Sequence, residues 1–168
     1  IELCAQKDIL EYQAHHDGLT GLPNRTLFND RLEQAIIHAR RHNTEFAIFF
    51  IDLDRFKVVN DNLGQSVGDD ILRELSHRLE KFLRPDDTLA RLGGDEFGVL
   101  LHANYETSME VALALHATMS YPFLVGKESI DLGVSIGVAA NNDEHDLLRR
   151  ADVAMYRAKR EGLGVCRL

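Results

Sequence analysis

Arg91-Leu92-Gly93-Gly94-Asp95-Glu96-Phe97 decides how this chain folds. Apolar runs about one strand long flank it, at 88–92 and 97–101, which makes the stretch the turn of a β-hairpin. A tight turn has plain uses for these residues, because glycine tolerates positive φ and aspartate bonds its own backbone. What a turn does not require is charge on two successive residues, Asp95 and Glu96. Upstream, Asp52 closes another apolar run, and carboxylates at two strand ends are natural partners for a metal.

The run before Asp52, Phe46-Ala47-Ile48-Phe49-Phe50-Ile51, is unbroken and rich in aromatic and β-branched residues, the pattern of a strand covered on both faces and central in its sheet. Acids directly after such a strand are costly unless solvated, hydrogen-bonded or bound to a cation. Around these strands the other elements follow from periodicity and punctuation. Residues 1–14 form a helix with Ala5, Ile9 and Tyr12 on one stripe; it starts without a cap and reads as the end of a helix entering from upstream. Asp17 to Pro23 is a loop and Asn24 an N-cap, with Phe28, Leu32, Ala35, Ile36 and Ala39 following at helical spacing up to a stop at His42-Asn43. A short helix over 55–62 precedes a turn at Gly64, and Val67, Ile71, Leu72, Leu75, Leu79 and Phe82 give an amphipathic helix stopped near Arg84-Pro85.

Beyond the hairpin, Met109, Ala112, Leu113 and His116 mark a helix ending before Pro122, with His116 a satisfied core or boundary histidine rather than a catalytic one. Residues 121–125, a Gly126-Lys127 turn and a long alternating strand through Ile130, Leu132, Val134, Ile136 and Val138 predict a second hairpin. Gly133, Ser135 and Gly137 on its opposite face require something to approach closely. A last helix runs from 146 to about 161 through Leu147, Leu148, Ala151, Ala154, Met155 and Ala158, and 165–168 form a short terminal strand. The order predicts an α+β fold with a mostly antiparallel central sheet flanked by helices.

A chain of 168 residues is one domain by size. No stretch approaches the ~20 apolar residues of a membrane span, so no membrane contact is expected of this fragment. A net charge of −8 opposes general affinity for nucleic acid, and an anionic substrate then needs a local cation or a metal. Cys4 and Cys166 lie at opposite ends without metal-ligand spacing and fit a reducing, cytoplasmic setting. The adjacent His15-His16 pair is poorly placed to converge on one ion.

Gly93-Gly94-Asp95-Glu96-Phe97 resembles the signature of the GGDEF family, the diguanylate cyclases. The other motifs of that family are resembled in order by Asp17-Gly18-Leu19-Thr20-Gly21-Leu22-Pro23-Asn24-Arg25, by Asp52-Leu53-Asp54-Arg55-Phe56-Lys57, and by Asn60-Asp61 with Gly64 and Gly68-Asp69. The resemblance implies a ferredoxin-like, palm-like nucleotidyl cyclase fold over 17–168, with 1–16 a linker helix from an upstream region and a parent chain that is sensory or membrane-anchored. It implies condensation of two GTP into cyclic di-GMP and pyrophosphate within a transient homodimer.

Forming that phosphodiester gathers negative charge on every oxygen involved, which Mg²⁺ (or Mn²⁺) can balance through one or two carboxylates plus phosphates and water. By resemblance Asp52, Asp95 and the carbonyl of Leu53 hold the metal, Asp95 activates the 3′-hydroxyl, and Glu96 is a third carboxylate. Lys57 and Lys159 match positions contacting the triphosphate, and Phe56 belongs to the same substrate set. Asn60 and Asp69 match the positions that choose the base, where an amide and a carboxylate suit guanine better than adenine. Gly93 and Gly94 let the backbone approach the nucleotide. Arg84 and Asp87 resemble the family's Arg-x-x-Asp inhibitory site for product. Two departures stand out: Gln65 where histidine is commonest, and Leu163-Gly164 where an Arg-Asn pair is common. They allow an alternative, a weak or inactive GTP-binding module that regulates an adjacent domain such as a phosphodiesterase.

Overall fold

The computed structural model describes residues 1–141 and 146–168. Its central element is β1 (Ala47–Leu53), which pairs antiparallel with β3 (Glu96–Leu101) on one side and with β6 (Val134–Ala140) on the other. Adding β2 (Thr88–Gly93) beside β3 and β7 (Val165–Arg167) parallel to β6 completes a five-stranded sheet of order β2-β3-β1-β6-β7. The sheet is mostly antiparallel and flanked by helices, as expected.

The apolar run of β1 is buried on both faces for the reason its sequence suggests. Ile48 and Phe50 join Phe28, Leu32 and Ala35 of α2 (Arg25–His42) and Ala151 and Met155 of α6 (Leu147–Glu161). Ala47, Phe49 and Ile51 join Ile71, Leu75 and Leu79 of α4 (Gln65–Glu80) and Leu115 of α5 (Tyr105–Ala117). Each such large side chain contributes on the order of 1.5–3 kcal/mol. The short α3 (Phe56–Leu63) follows β1, reached through Arg55 in the left-handed region at φ 61°. The Asn24 side chain accepts from Leu27 N at the start of α2, and Asn43 closes that helix in the left-handed conformation.

Three expectations change. The long second-hairpin strand is two strands: β4 (Phe123–Val125) and β5 (Glu128–Ile130) form their own small sheet, and β6 starts afresh at Val134 in the main one. Period-two alternation continues across Asp131–Gly133 although the pairing partner changes, so it could not reveal the break. The helix expected to reach Arg84-Pro85 ends at Glu80, leaving Phe82 exposed. In α5 the buried stripe is Ser108, Ala112 and Leu115, with Leu113 facing solvent. The close approach required at Gly137 is made by α6: a Cβ there would overlap the backbone of Ala151 and Met155. Small residues at Ala151, Ala154 and Ala158 let that helix lie tightly on the sheet. At the amino end, α1 (Glu2–His15) buries none of its residues, Ala5, Ile9 and Tyr12 included.

Candidate active site

Antiparallel pairing puts the end of β1 beside the start of β3, and Asp52 stands directly opposite Glu96. Asp95 is the last residue of the intervening turn. Gly93 at φ 148° and Gly94 at φ 49° give that turn a conformation unfavourable to side chains, and pairing slips by one residue between Arg91 and Gly93. No other atom lies within 4 Å of where either Cβ would be, so within the chain it is conformation rather than crowding that calls for glycine.

The tight seat of α6 brings Lys159 to the same end of the sheet, where its Nζ donates to Asp52 Oδ2 at 2.6 Å. Burial opposes the ammonium, but Asp52, Asp95 and Asp54 together hold its pKa above the usual lysine value. Burial, a hydrogen bond with Asp52 and the charge of Asp52 raise the Asp95 carboxyl to about 7. Glu96 moves up as well, through burial and the charge of Asp52, with Arg25 at 3.7 Å opposing. Asp52 Oδ1, in contrast, is buried without a hydrogen-bond partner.

A buried carboxylate oxygen with no donor is expensive unless a cation meets it. Asp52 Oδ1, with Asp95 beside it, fits a hard cation that takes one or two carboxylates and completes its shell with phosphate and water. Among the described residues no group of three or more His, Cys, Asp or Glu is placed to hold a metal ion on its own. Asp54 serves the fold instead. Ser135 Oγ donates to its Oδ1 at 2.8 Å and its backbone N donates to Gly133 O at 2.9 Å, pinning the entrance of α3.

Beside the carboxylates, Phe56, Asn60, Gln65, Asp69, Leu72, Arg91 and Gly94 line a cleft of about 320 Å³. Asn60 Oδ1 is a second buried acceptor without a partner, and a Cβ at Gly68 would collide with its amide. The structure thus gathers Phe56, Asn60, Asp69 and Gly94 around one cleft and Asp52, Asp95 and Glu96 at its neighbouring strand ends, where Lys159 reaches Asp52 from the last turn of α6. Lys57 is exposed on the first turn of α3. Arg84 and Asp87 lie beyond the opposite end of β2, along a groove of about 330 Å³ shared with Arg31 and Glu80. There Asp87 is engaged by the backbone, accepting from Arg84 N at 2.9 Å and His102 N at 3.0 Å.

The departures from the family pattern have local accounts. Gln65 lines the cleft, Leu163 is exposed, and a Cβ at Gly164 would strike the His116 ring. His15 and His16 each engage a backbone carbonyl one turn back, at Glu11 and Tyr12. Residue-by-residue reading missed the bracing by Arg91, which donates to Gly94 O and to Asp17 Oδ1. An arginine within a strand just before two glycines was the available signal.

The family model described as "Diguanylate cyclase, GGDEF domain" matches residues 14–164. The diguanylate cyclase TpbB of Pseudomonas aeruginosa is 43% identical over 166 residues, covering 95% of this chain but 38% of its own length. The solved GGDEF domain of that protein superposes with a TM-score of 0.83 at 42% identity, covering 88% of this chain and 90% of that one. The coiled coil and GGDEF domain of DgcB from Caulobacter crescentus, solved with c-di-GMP, gives a TM-score of 0.90 at 27% identity over 99% and 92% of the two chains. With the family model covering residues 14–164 and relatives above 40% identity over nearly the whole chain, the chain belongs to the GGDEF diguanylate cyclase family.

Proposed function

We propose that this domain condenses two GTP into cyclic di-GMP and pyrophosphate, with Mg²⁺ or Mn²⁺, as part of a longer cytoplasmic signalling chain in which 1–16 serve as linker and 17–168 as the catalytic domain. The observation that carries the reading is the meeting of Asp52, Asp95 and Glu96 at adjacent strand ends, beside a cleft holding the unpartnered Asn60 amide oxygen. Guanine offers N1–H and N2–H as donors; Asp69 takes the pair and Asn60 an edge position, whereas adenine cannot supply the same set. Lys57 and Lys159 contact the triphosphate and Phe56 walls the base cleft.

Asp52, Asp95 and the Leu53 carbonyl would hold the metal, whose bound charge offsets that developing on the phosphates. Asp95 would also accept the proton of the attacking 3′-hydroxyl, the role its position in the motif suggests. That hydroxyl bonds to the α-phosphorus of the other GTP as pyrophosphate leaves. Two such bonds are needed and one domain presents one GTP, so two copies face each other in a transient homodimer. Incubation with GTP and Mg²⁺ tests the proposal: cyclic di-GMP is the expected product, and intact GTP at the end overturns it.

One observation favours a second reading. Leu163 is exposed and Gly164 is matched to His116, so the segment after α6 lacks the arginine common in the family. A domain weakened in this way binds GTP and controls a neighbouring domain without turnover. In that case GTP binds and no product appears. In either reading Arg84 and Asp87 form a product site that restrains the domain.

A further inference from the structure

The residue assigned to the triphosphate and the carboxylate assigned to the metal are bonded to each other. Lys159 Nζ sits 2.6 Å from Asp52 Oδ2, and the side chains differ in exposure, 42% for the lysine and 14% for the aspartate. Asp52 is therefore fixed by the sheet, while Lys159 is a long side chain with room to leave. An ammonium at contact distance neutralises the carboxylate and repels a dication approaching the same oxygens. It also keeps a mostly buried charge paired when nothing else is bound.

Building on the nucleotide reading above, we propose that Lys159 is an internal competitor for the metal at Asp52, withdrawn when a triphosphate draws its ammonium away. Metal alone then binds weakly, because it must displace Lys159. Nucleotide supplies the alternative partner for that ammonium and opens Asp52 Oδ2 beside the already unpartnered Oδ1. Coupling between sites is reciprocal, so each ligand improves the affinity of the other by the same factor. The domain loads metal and nucleotide together and avoids holding a bare cation.

The test is a titration of Mn²⁺ alone, followed by electron paramagnetic resonance, with no nucleotide present. Lys159→Met keeps the length and removes the charge, and is expected to bind Mn²⁺ at least about tenfold more tightly than wild type, a change of ~1.4 kcal/mol. The gain should vanish in the Asp52→Asn/Lys159→Met double variant. Lys57→Met removes the same charge from an exposed lysine with no ion-pair partner among the described residues, and should gain much less. Equal Mn²⁺ affinity in wild type and Lys159→Met overturns the proposal, as does a gain that survives Asp52→Asn or is matched by Lys57→Met. In chelator, metal-free GTP should bind Lys159→Met more weakly than wild type; unchanged binding removes the triphosphate half of the idea. None of these measurements needs turnover, so the competition can fail while cyclase activity stands, or hold in a domain that makes no product.

Discussion

The Arg91 guanidinium and the Asp17 carboxylate meet at 2.9 Å, although 74 residues separate them in the chain. The same guanidinium donates twice to Gly94 O, at 3.0 and 2.8 Å, so the glycine turn before β3 is tied to the loop that follows the first helix. Burial works against the Asp17 charge, but Thr20 and Arg91 outweigh it and hold the carboxyl below its usual pKa. Both side chains are mostly shielded, at 16% and 18% exposed, so the pair is screened less than a surface one.

Asp17→Asn is therefore expected to destabilise the domain by about 1.5–3 kcal/mol, the worth of a charge-assisted contact. For a domain of this size that is a fall of roughly 3–12 °C in Tm. Turnover should drop further than the lost stability explains, because the Gly94 turn loses its brace. Calorimetric melting with a GTP assay well below Tm checks both, and an unchanged Tm would show the pair to be incidental.

Asp95→Asn should leave the fold intact and abolish turnover. It should also change the pH dependence of stability. The Asp95 pKa rises from 3.8 to about 7 on folding because burial and Asp52 oppose its charge. A raised carboxyl stabilises the fold most below its unfolded pKa and loses that contribution as pH climbs through the folded one. Metal-free wild type should thus lose stability relative to Asp95→Asn across the interval from 3.8 to about 7, then run parallel to it. Melting profiles of equal slope from about pH 5 to about pH 7 contradict this account.

Asp69→Ala should weaken GTP binding while leaving ATP binding and Mn²⁺ binding nearly as they were, since the carboxylate lines the cleft proposed to take the base. Losing a bonded carboxylate is worth about 1.5–3 kcal/mol, or roughly ten- to hundredfold in affinity. Equal losses for GTP and ATP in a binding titration would show that Asp69 does not read the base.

Arg84→Ala should remove binding of cyclic di-GMP in an Asp95→Asn background, where the active site makes none. The arginine is exposed and its backbone N–H is held by Asp87, so the loop that presents it should survive the substitution. Calorimetric affinity unchanged by Arg84→Ala would reduce this segment to an ordinary connection. Because Asp87 already accepts two backbone N–H groups, Asp87→Ala should cost stability as well as product affinity.

Local chemistry was enough for much of the architecture. The doubly buried β1, the glycine turn between β2 and β3, the Asn24 cap and the amphipathic α4 each follow from patterns a few residues long, because propensity, capping and side-chain period act locally. Those same stretches identified Asp52, Asp95 and Glu96 as acids on strand ends. Where local pattern was ambiguous, as in the alternation carried through Asp131–Gly133, the strand boundary was misplaced, because periodicity shows which face a side chain takes and not which strand it pairs with.

Only the tertiary structure decided what surrounds each acid. Sheet register set Asp52 opposite Glu96, and the close seat of α6 over Gly137 carried Lys159 onto Asp52 across 107 residues. The raised pKa of Asp95 and the unpartnered oxygens of Asp52 and Asn60 arise from that assembly. Burial and charge coupling depend on distances through space, and no window of sequence contains both members of those pairs.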